Sequence, residues 1–306
     1  MKEHKKYTSI IRYGKAGTSE VLKAGDIISI TEKLDGANAS FIKDEAESMG
    51  VSCFSRNNKL YPEKNQNLGG FYQWVEANIS PIQDLLIPSF RYYGEWTTKH
   101  KVTYKPEYTN QFFLFSIWDE EAQEYLSDAI VRIEAMRLGL RTVDYLYEGA
   151  FISFEHLMSF VGKSRMTLEP DTGEGIVVKN VNYKDRNNSQ VFVKLVSEKF
   201  AELQPQRLPK NPNIGAEHDA TILSVLTKPR VEKILFKLVD EGILDEAYGI
   251  EDMGTILKHV HSNILEDMLT EESEILQNID EKTLSKRVGK LTPPMIKEIL
   301  KEQGRM

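Results

Sequence analysis

The chain has 306 residues, of which 41% are hydrophobic and 28% charged, and its net charge is −7. This length suits about two domains, and the mixture excludes whole-chain disorder and collagen-like repeats. The acidity argues against a nucleic-acid partner, because phosphate binding needs Lys and Arg.

Behind Met1-Lys2-Glu3-His4-Lys5-Lys6 no apolar run follows, so no secretory leader is expected. No stretch approaches the roughly 18 apolar residues that cross a bilayer, so no membrane partner is expected. A soluble, intracellular, cytoplasmic chain is therefore expected, and a virus-encoded origin is compatible with this. Residues 1 to about 203 are rich in aromatic and β-branched residues. Short runs at 26–31, 51–54, 111–118, 175–179 and 191–194 read as strands. Helical patterns lie between them. One covers 68–76. A second covers 129–138, with Ile130, Ile133 and Leu138 on one face and Gly139 placed to stop it. A third covers 154–161. Pro205, Pro209 and Pro212 then crowd a short segment. Proline removes backbone donors and restricts its predecessor, so a linker is expected at 204–216. From 217 to 306 the apolar residues recur at three and four, as in Val231, Ile234, Leu235, Leu238 and Val239, and again in Ile256, Leu257, Val260, Ile264 and Leu265. A last helix is expected at 291–300, with Thr292 as its cap and Pro293 in its first turn.

The most informative segment is Thr31-Glu32-Lys33-Leu34-Asp35-Gly36-Ala37-Asn38-Ala39-Ser40. It follows a strand and enters a loop, where reactive side chains are commonly presented. Alone, Lys33-Leu34-Asp35-Gly36 reads equally as a charged turn with Asp35-Gly36 as the turn pair. Further motifs follow in order: Ser55-Arg56-Asn57-Asn58, Tyr93-Gly94-Glu95-Trp96, the aromatic run Phe112 to Trp118, Glu174-Gly175-Ile176-Val177-Val178-Lys179, and Val193-Lys194 with Phe200 behind it. Singly, Phe115 reads as core, Arg56, Glu95 and Glu174 as solvated charges, and Lys194 as a strand-edge charge. Together and in this order they resemble the covalent nucleotidyltransferase superfamily of polynucleotide ligases and capping enzymes.

The resemblance implies a mechanism. Lys33 is the nucleophile that takes AMP from ATP, and a neighbouring cation or burial would lower its pKa. Lys194 grips the α-phosphate. Arg56 offers a planar fork to a phosphate oxygen. Glu174 serves a divalent metal, magnesium or manganese, which pairs with few carboxylates and with substrate phosphates. Glu95 accepts from ribose hydroxyls, and Phe115 stacks on the purine. Glu32, Leu34 and Asn38 complete the nucleotide site. The last motif keeps one lysine, with Phe192 two residues before it, so phosphate grip falls on Lys194 with help from Lys179. Ser116 stands where an aspartate is frequent.

Other candidates read as structure. Gly14-Lys15-Ala16-Gly17-Thr18 lacks the spacing of a mononucleotide loop and reads as a turn. His259 and His261 are two apart, the wrong spacing for two ligands on one helical face. Cys53, the single cysteine, excludes disulfides and paired-cysteine metal sites and reads as a buried apolar residue.

The tail separates the branches of the superfamily. DNA ligases and capping enzymes continue into a β-barrel with about five strand signals, whereas this tail reads as helix. The whole resembles the ATP-dependent RNA ligase 2 type. The expected fold class is α+β: a nucleotidyltransferase domain of antiparallel sheets and helices at 1–203, the linker, and a small all-helical RNA-engaging domain at 217–306. The implied activity joins RNA 3′-hydroxyl and 5′-phosphate ends at nicked duplexes, through a lysyl-AMP and an RNA-adenylate, in a monomeric protein. A DNA ligase, a guanylyltransferase and a non-catalytic nucleotide- or RNA-binding relative are the alternatives.

The charge divides unevenly. Residues 240–281 hold 13 Asp and Glu against Lys258 alone, and the rest of the chain is net +5. The acidic segment reads as a solvated helical face. RNA contacts of the tail are expected from its basic flanks, Lys228, Arg230, Lys233 and Lys237 on one side and Lys282, Lys286, Arg287 and Lys290 on the other.

Overall fold

A computed structural model describes residues 2–15, 18, 20–197, 200 and 219–306. The expected linker at 204–216, and two residues of the turn at 14–18, lie outside the described residues. The chain forms two units, Met1–Ser197 and Glu198–Met306.

In the first unit the β-branched and aromatic runs build two sheets. In chain order the elements are β1 (Ile11–Arg12), β2 (Ile27–Lys33), β3 (Ala37–Lys43), β4 (Val51–Ser55), α1 (Phe71–Asn78), β5 (Phe90–Trp96), β6 (Phe112–Asp119), β7 (Glu124–Tyr125), α2 (Asp128–Leu138), β8 (Arg141–Thr142), β9 (Tyr145–Ala150), α3 (Phe154–Met158), β10 (Gly175–Lys184) and β11 (Gln190–Val196). One sheet has the order β1-β11-β10-β2-β9, the other β4-β3-β5-β6-β7 with β8 on β6. All pairs are antiparallel except β1 with β11 and β6 with β8.

Strand alternation gives each sheet two distinct faces. In the first sheet Ile28, Ile30, Ile176, Val178, Val193 and Leu195 form one core. The opposite face carries Thr31, Lys33, Val177, Lys179, Phe192 and Lys194. In the second sheet Ala37, Ala39, Phe41, Tyr92 and Trp96 pack under α1 and α2. Its opposite face carries Asn38, Ser40, Tyr93 and Glu95. Val177 and Phe192 of one sheet meet Tyr93, Phe115 and Trp118 of the other around Tyr7. The two polar-bearing faces therefore pack against each other, with an aromatic layer between them. Each fully buried side chain of this size contributes about 1.5–3 kcal/mol.

Helix α2 is rotated from expectation. Ile130 and Ile133 are 40% and 62% exposed, whereas Val131, Glu134, Ala135 and Leu138 are buried. The reason lies at the first residue of the helix. Asp128 accepts from Lys179 Nζ at 2.7 Å and from the Ser29 hydroxyl. This tie sets the rotation, and Val131, Ala135 and Leu138 lie on the same face as Asp128.

The second unit is helical: α4 (Asp219–Val225), α5 (Lys228–Asp240), α6 (Met253–Leu276) and α7 (Glu281–Glu302) around a core that includes Val231, Ile234, Leu238, Ile256, Val260, Ile264, Leu284, Val288 and Ile296. The last helix is longer than the expected 291–300. It begins behind Asp280, which accepts from Thr283 N, and runs through Pro293 and Pro294. Thr292 is buried inside it instead of capping it. Interior proline costs about 3 kcal/mol. The unbroken buried stripe Leu284-Val288-Thr292-Ile296 offsets that cost by keeping both halves against one core.

The tail's charges also depart from expectation. Lys228 pairs with Glu298 and Glu302, and Lys233 with Asp267 and Glu271. Lys237 reaches Asn263 and Glu241, and Arg287 reaches Asp219. Arg230 is fully buried between Asp267 and Glu272 and donates to the Val225 carbonyl. Part of the acidic segment is thus an internal counter-charge for Arg230, Lys233 and Lys237, and with Lys228 and Arg287 tied to Glu298, Glu302 and Asp219, five of the eight basic residues expected to meet RNA are paired within the unit.

Candidate active site

Lys33 ends β2, and Glu174 stands one residue before β10. Lys33 and Gly175 are directly opposite in the ladder, so the register brings Glu174, the residue before the strand, to the end of β2 beside Lys33. Lys33 Nζ lies 2.6 Å from Glu174 Oε2. Gly175 is required here, because a Cβ would sit 2.1 Å from the Leu195 carbonyl oxygen. Lys194 pairs with Val177, which pairs with Thr31, so its side chain shares the face of Lys33. It is 8% exposed, and its charge acts on Glu174.

Asp35 and Gly36 turn the chain from β2 into β3. The Asp35 carboxylate accepts from Val102 N at 2.7 Å and faces His100 Nδ1 at 3.4 Å, and its own N–H donates to the Tyr104 hydroxyl at 2.7 Å. The turn is therefore clamped to the 100–104 segment. Burial pushes the Asp35 carboxyl up, but the His100 contact and the Val102 N–H outweigh it and hold the group below the usual carboxylate value. Gly36 again has no room for a Cβ, which would lie 2.5 Å from the Trp96 carbonyl oxygen.

On the facing sheet, Asn38 and Glu95 are opposite each other on β3 and β5. Burial raises Glu95 to about 8 against the pull of Lys33, with Glu174 adding repulsion. Burial likewise raises Glu174, opposed by Lys33. Lys33 departs from expectation. Burial favours its neutral form, yet Glu174, Glu95 and Asp35 together hold its amine above the ordinary value. Three carboxylates outweigh the effect of burial.

Phe115 sits at a bulge. Gly94 pairs with Leu114 but Tyr93 with Ser116, which leaves Phe115 as the extra residue. Its ring meets Tyr7 edge-on at 4.9 Å. The Lys179 ammonium, expected to help grip phosphate, donates to the Phe115 carbonyl at 2.8 Å and to Asp128. It braces the aromatic's backbone. Leu34 is buried beside the turn. Glu32 alternates to the opposite sheet face, across from Ile176. It is 2% exposed, and burial raises it to about 7, opposed by the Ser164 hydroxyl. Arg56 stands exposed in the turn after β4. The structure thus gathers Lys33, Glu174, Lys194, Glu95 and Asn38 on facing sheet surfaces, and leaves Arg56, Glu32 and Lys179 with other surroundings.

Sequence reasoning missed His100, Tyr104, Tyr7 and Asp128. No local pattern marks them, because each reaches the site from a segment distant in the chain.

A family model described as RNA ligase matches residues 26–196. Solved structures that match the chain include a Naegleria gruberi RNA ligase with pyrophosphate, 18% identical, with a TM-score of 0.46 over 64% of this chain and 57% of that one. Another is a lysine variant of that ligase with AMP and manganese, 18% identical, with a TM-score of 0.43 over 58% of this chain and 51% of the other. The chain spans little more than half the length of these proteins. A search of curated proteins finds no match. No helix among the described residues is long and apolar enough to cross a membrane.

Proposed function

Since the chain belongs to the RNA ligase family, we propose that it is an ATP-dependent ligase that seals a 3′-hydroxyl to a 5′-phosphate at nicks in duplex RNA. In this reading the first unit carries adenylyl transfer, and the helical unit engages RNA. The chain acts as a cytoplasmic monomer. The observation that carries the reading is the half-buried Lys33–Glu174 pair, with Lys194 on the same sheet face and Glu95 facing it.

The chemistry follows from that arrangement. An ammonium is no nucleophile, so Lys33 Nζ first gives a proton to Glu174, its acceptor at 2.6 Å. The free amine then bonds to the α-phosphorus of ATP as the bond to pyrophosphate breaks, and the second proton leaves Nζ to solvent or to the departing pyrophosphate. Lys194 holds the phosphate oxygens during the attack. The AMP then moves to the RNA 5′-phosphate, and the 3′-hydroxyl displaces it. Phe115 offers its ring to the purine, and Glu95 and Asn38 offer polar groups to the nucleoside.

Among the described residues no group of three His, Cys, Asp or Glu is arranged to hold a metal ion. Magnesium commonly takes one or two carboxylates together with substrate phosphates. Glu174 therefore fits a magnesium or manganese ion that arrives with ATP. When bound, such an ion neutralises charge on the phosphates.

The test is label transfer from ATP radiolabelled at the α-phosphate, with the AMP mass shift read on the intact chain. The wild type should be labelled and Lys33→Ala should not. Labelling of Lys33→Ala, or none of the wild type, refutes the assignment.

A further inference from the structure

The helical unit is acidic, with 12 Lys and Arg against 17 Asp and Glu over residues 219–306. Its cations are sorted. Those of α5, together with Arg287, are tied to carboxylates or amides. Five lysines of α7 are not: Lys282, Lys286, Lys290, Lys297 and Lys301 are all exposed, and among the described residues none has an ion pair or side-chain hydrogen bond.

Their spacing places them together. At about 100° per residue, the five fall within an arc of about 100° on one side of α7. They span about 28 Å of its length. No Asp or Glu of the helix falls in that arc. Glu298 and Glu302 lie beyond its edge, and both are occupied by Lys228.

The helix itself gains nothing from this row. Like charges four residues apart repel, and Lys282 sits in the first turn, where the helix dipole disfavours a cation. The dipole favours only the last of the five. A continuous cationic stripe on an otherwise acidic unit is complementary to a polyanion, and its length and regularity suit a run of phosphates.

We propose that this stripe of α7 docks the phosphate backbone of the RNA, so that it, and not the α5 flank, is the tail's RNA-binding surface. The inference rests on the RNA ligase reading above and names where that substrate lies. Repulsion from the acidic remainder of the unit holds the strand along the stripe.

The experiment measures binding of the full chain to a nicked RNA duplex, without ATP, over a range of salt. Each phosphate contact contributes about 0.7–0.9 to the slope of log K against log salt. Changing all five lysines to Gln should lower the slope by roughly 3 or more and raise Kd at least tenfold at low salt. Lys258→Gln, an exposed lysine on α6, should change neither. If the fivefold variant fails to melt cooperatively, Lys286→Gln with Lys290→Gln and Lys297→Gln decides, with an expected slope change of about 2. An unchanged Kd and slope overturns the proposal. So does a loss of binding to anionic phospholipid vesicles while RNA binding is unaffected, which would assign the stripe to a membrane surface. Label transfer from ATP to the unaltered chain tests the ligase reading separately. Its failure would refute that reading without touching the salt slope.

Discussion

Lys179→Met separates a structural brace from a phosphate clamp. The wild-type ammonium donates to Asp128 at 2.7 Å and to the Phe115 carbonyl at 2.8 Å, and the two paired side chains are 10% and 9% exposed. Methionine keeps the length and packing of lysine and removes the charge. Asp128 is then left as a buried carboxylate with only the Ser29 hydroxyl. Breaking one side of a buried pair costs about 3–5 kcal/mol. Asp128 lies in the first turn of α2, and the helix dipole returns about 0.3–1 kcal/mol. The expected net loss is therefore about 3 kcal/mol. For a unit of this size it lowers Tm by about 6–12 °C. Adding Asp128→Asn removes the stranded charge and should restore at least half of the loss. The freed bulge also lets Phe115 move, so KM for ATP in label transfer should rise more than kcat falls. Calorimetry and label transfer on both variants read these effects. A phosphate clamp behaves oppositely: Lys179→Met would melt as the wild type and label slowly, and Asp128→Asn would add damage. A Tm within about 2 °C of wild type, or a double variant no more stable than the single, refutes the brace.

Other outcomes follow from the same structure. Glu32 and Glu95 are held at about 7 and about 8 by burial. Each takes up a proton on folding, so the stability they contribute is fully present below the ordinary carboxylate pKa and is lost as pH rises through 7 to 8. Denaturant midpoints of the ligand-free chain should fall over that window, and Glu95→Gln should flatten the fall; an equal slope in both would sink the argument. His100→Ala should slow labelling by disturbing the Asp35 clamp. His100→Asn, whose amide nitrogen can take the place of Nδ1, should rescue more than His100→Gln, and equal damage in all three would show that the contact does not position the turn. Arg230→Ala should cost the helical unit about 3–5 kcal/mol, because the buried Glu272 loses the guanidinium and Asp267 is left with Lys233; thermal melts within experimental error of wild type would count against it.

What was legible in the sequence is what depends on local order. The strand carrying Lys33 and the strand that starts just after Glu174 are marked by their own β-branched residues, and the α+β class follows from the change to helical spacing in the tail. The two chemical groups meet because the ladder register is set by those same apolar residues. The remainder depends on pairs far apart in the chain, which spacing does not encode. Asp128 fixes the rotation of α2 through Lys179, 51 residues away, so a helix with two nearly equivalent apolar stripes was read on the wrong one. Asp267 and Glu272 neutralise Arg230 from 37 and 42 residues away, so a basic flank that looked free was not. The same pairing gives the uncancelled charges their meaning. Once α5 is seen to spend its cations internally, the lysine row on α7 is the cationic surface the helical unit leaves available, and that is why the RNA phosphates are proposed to dock there.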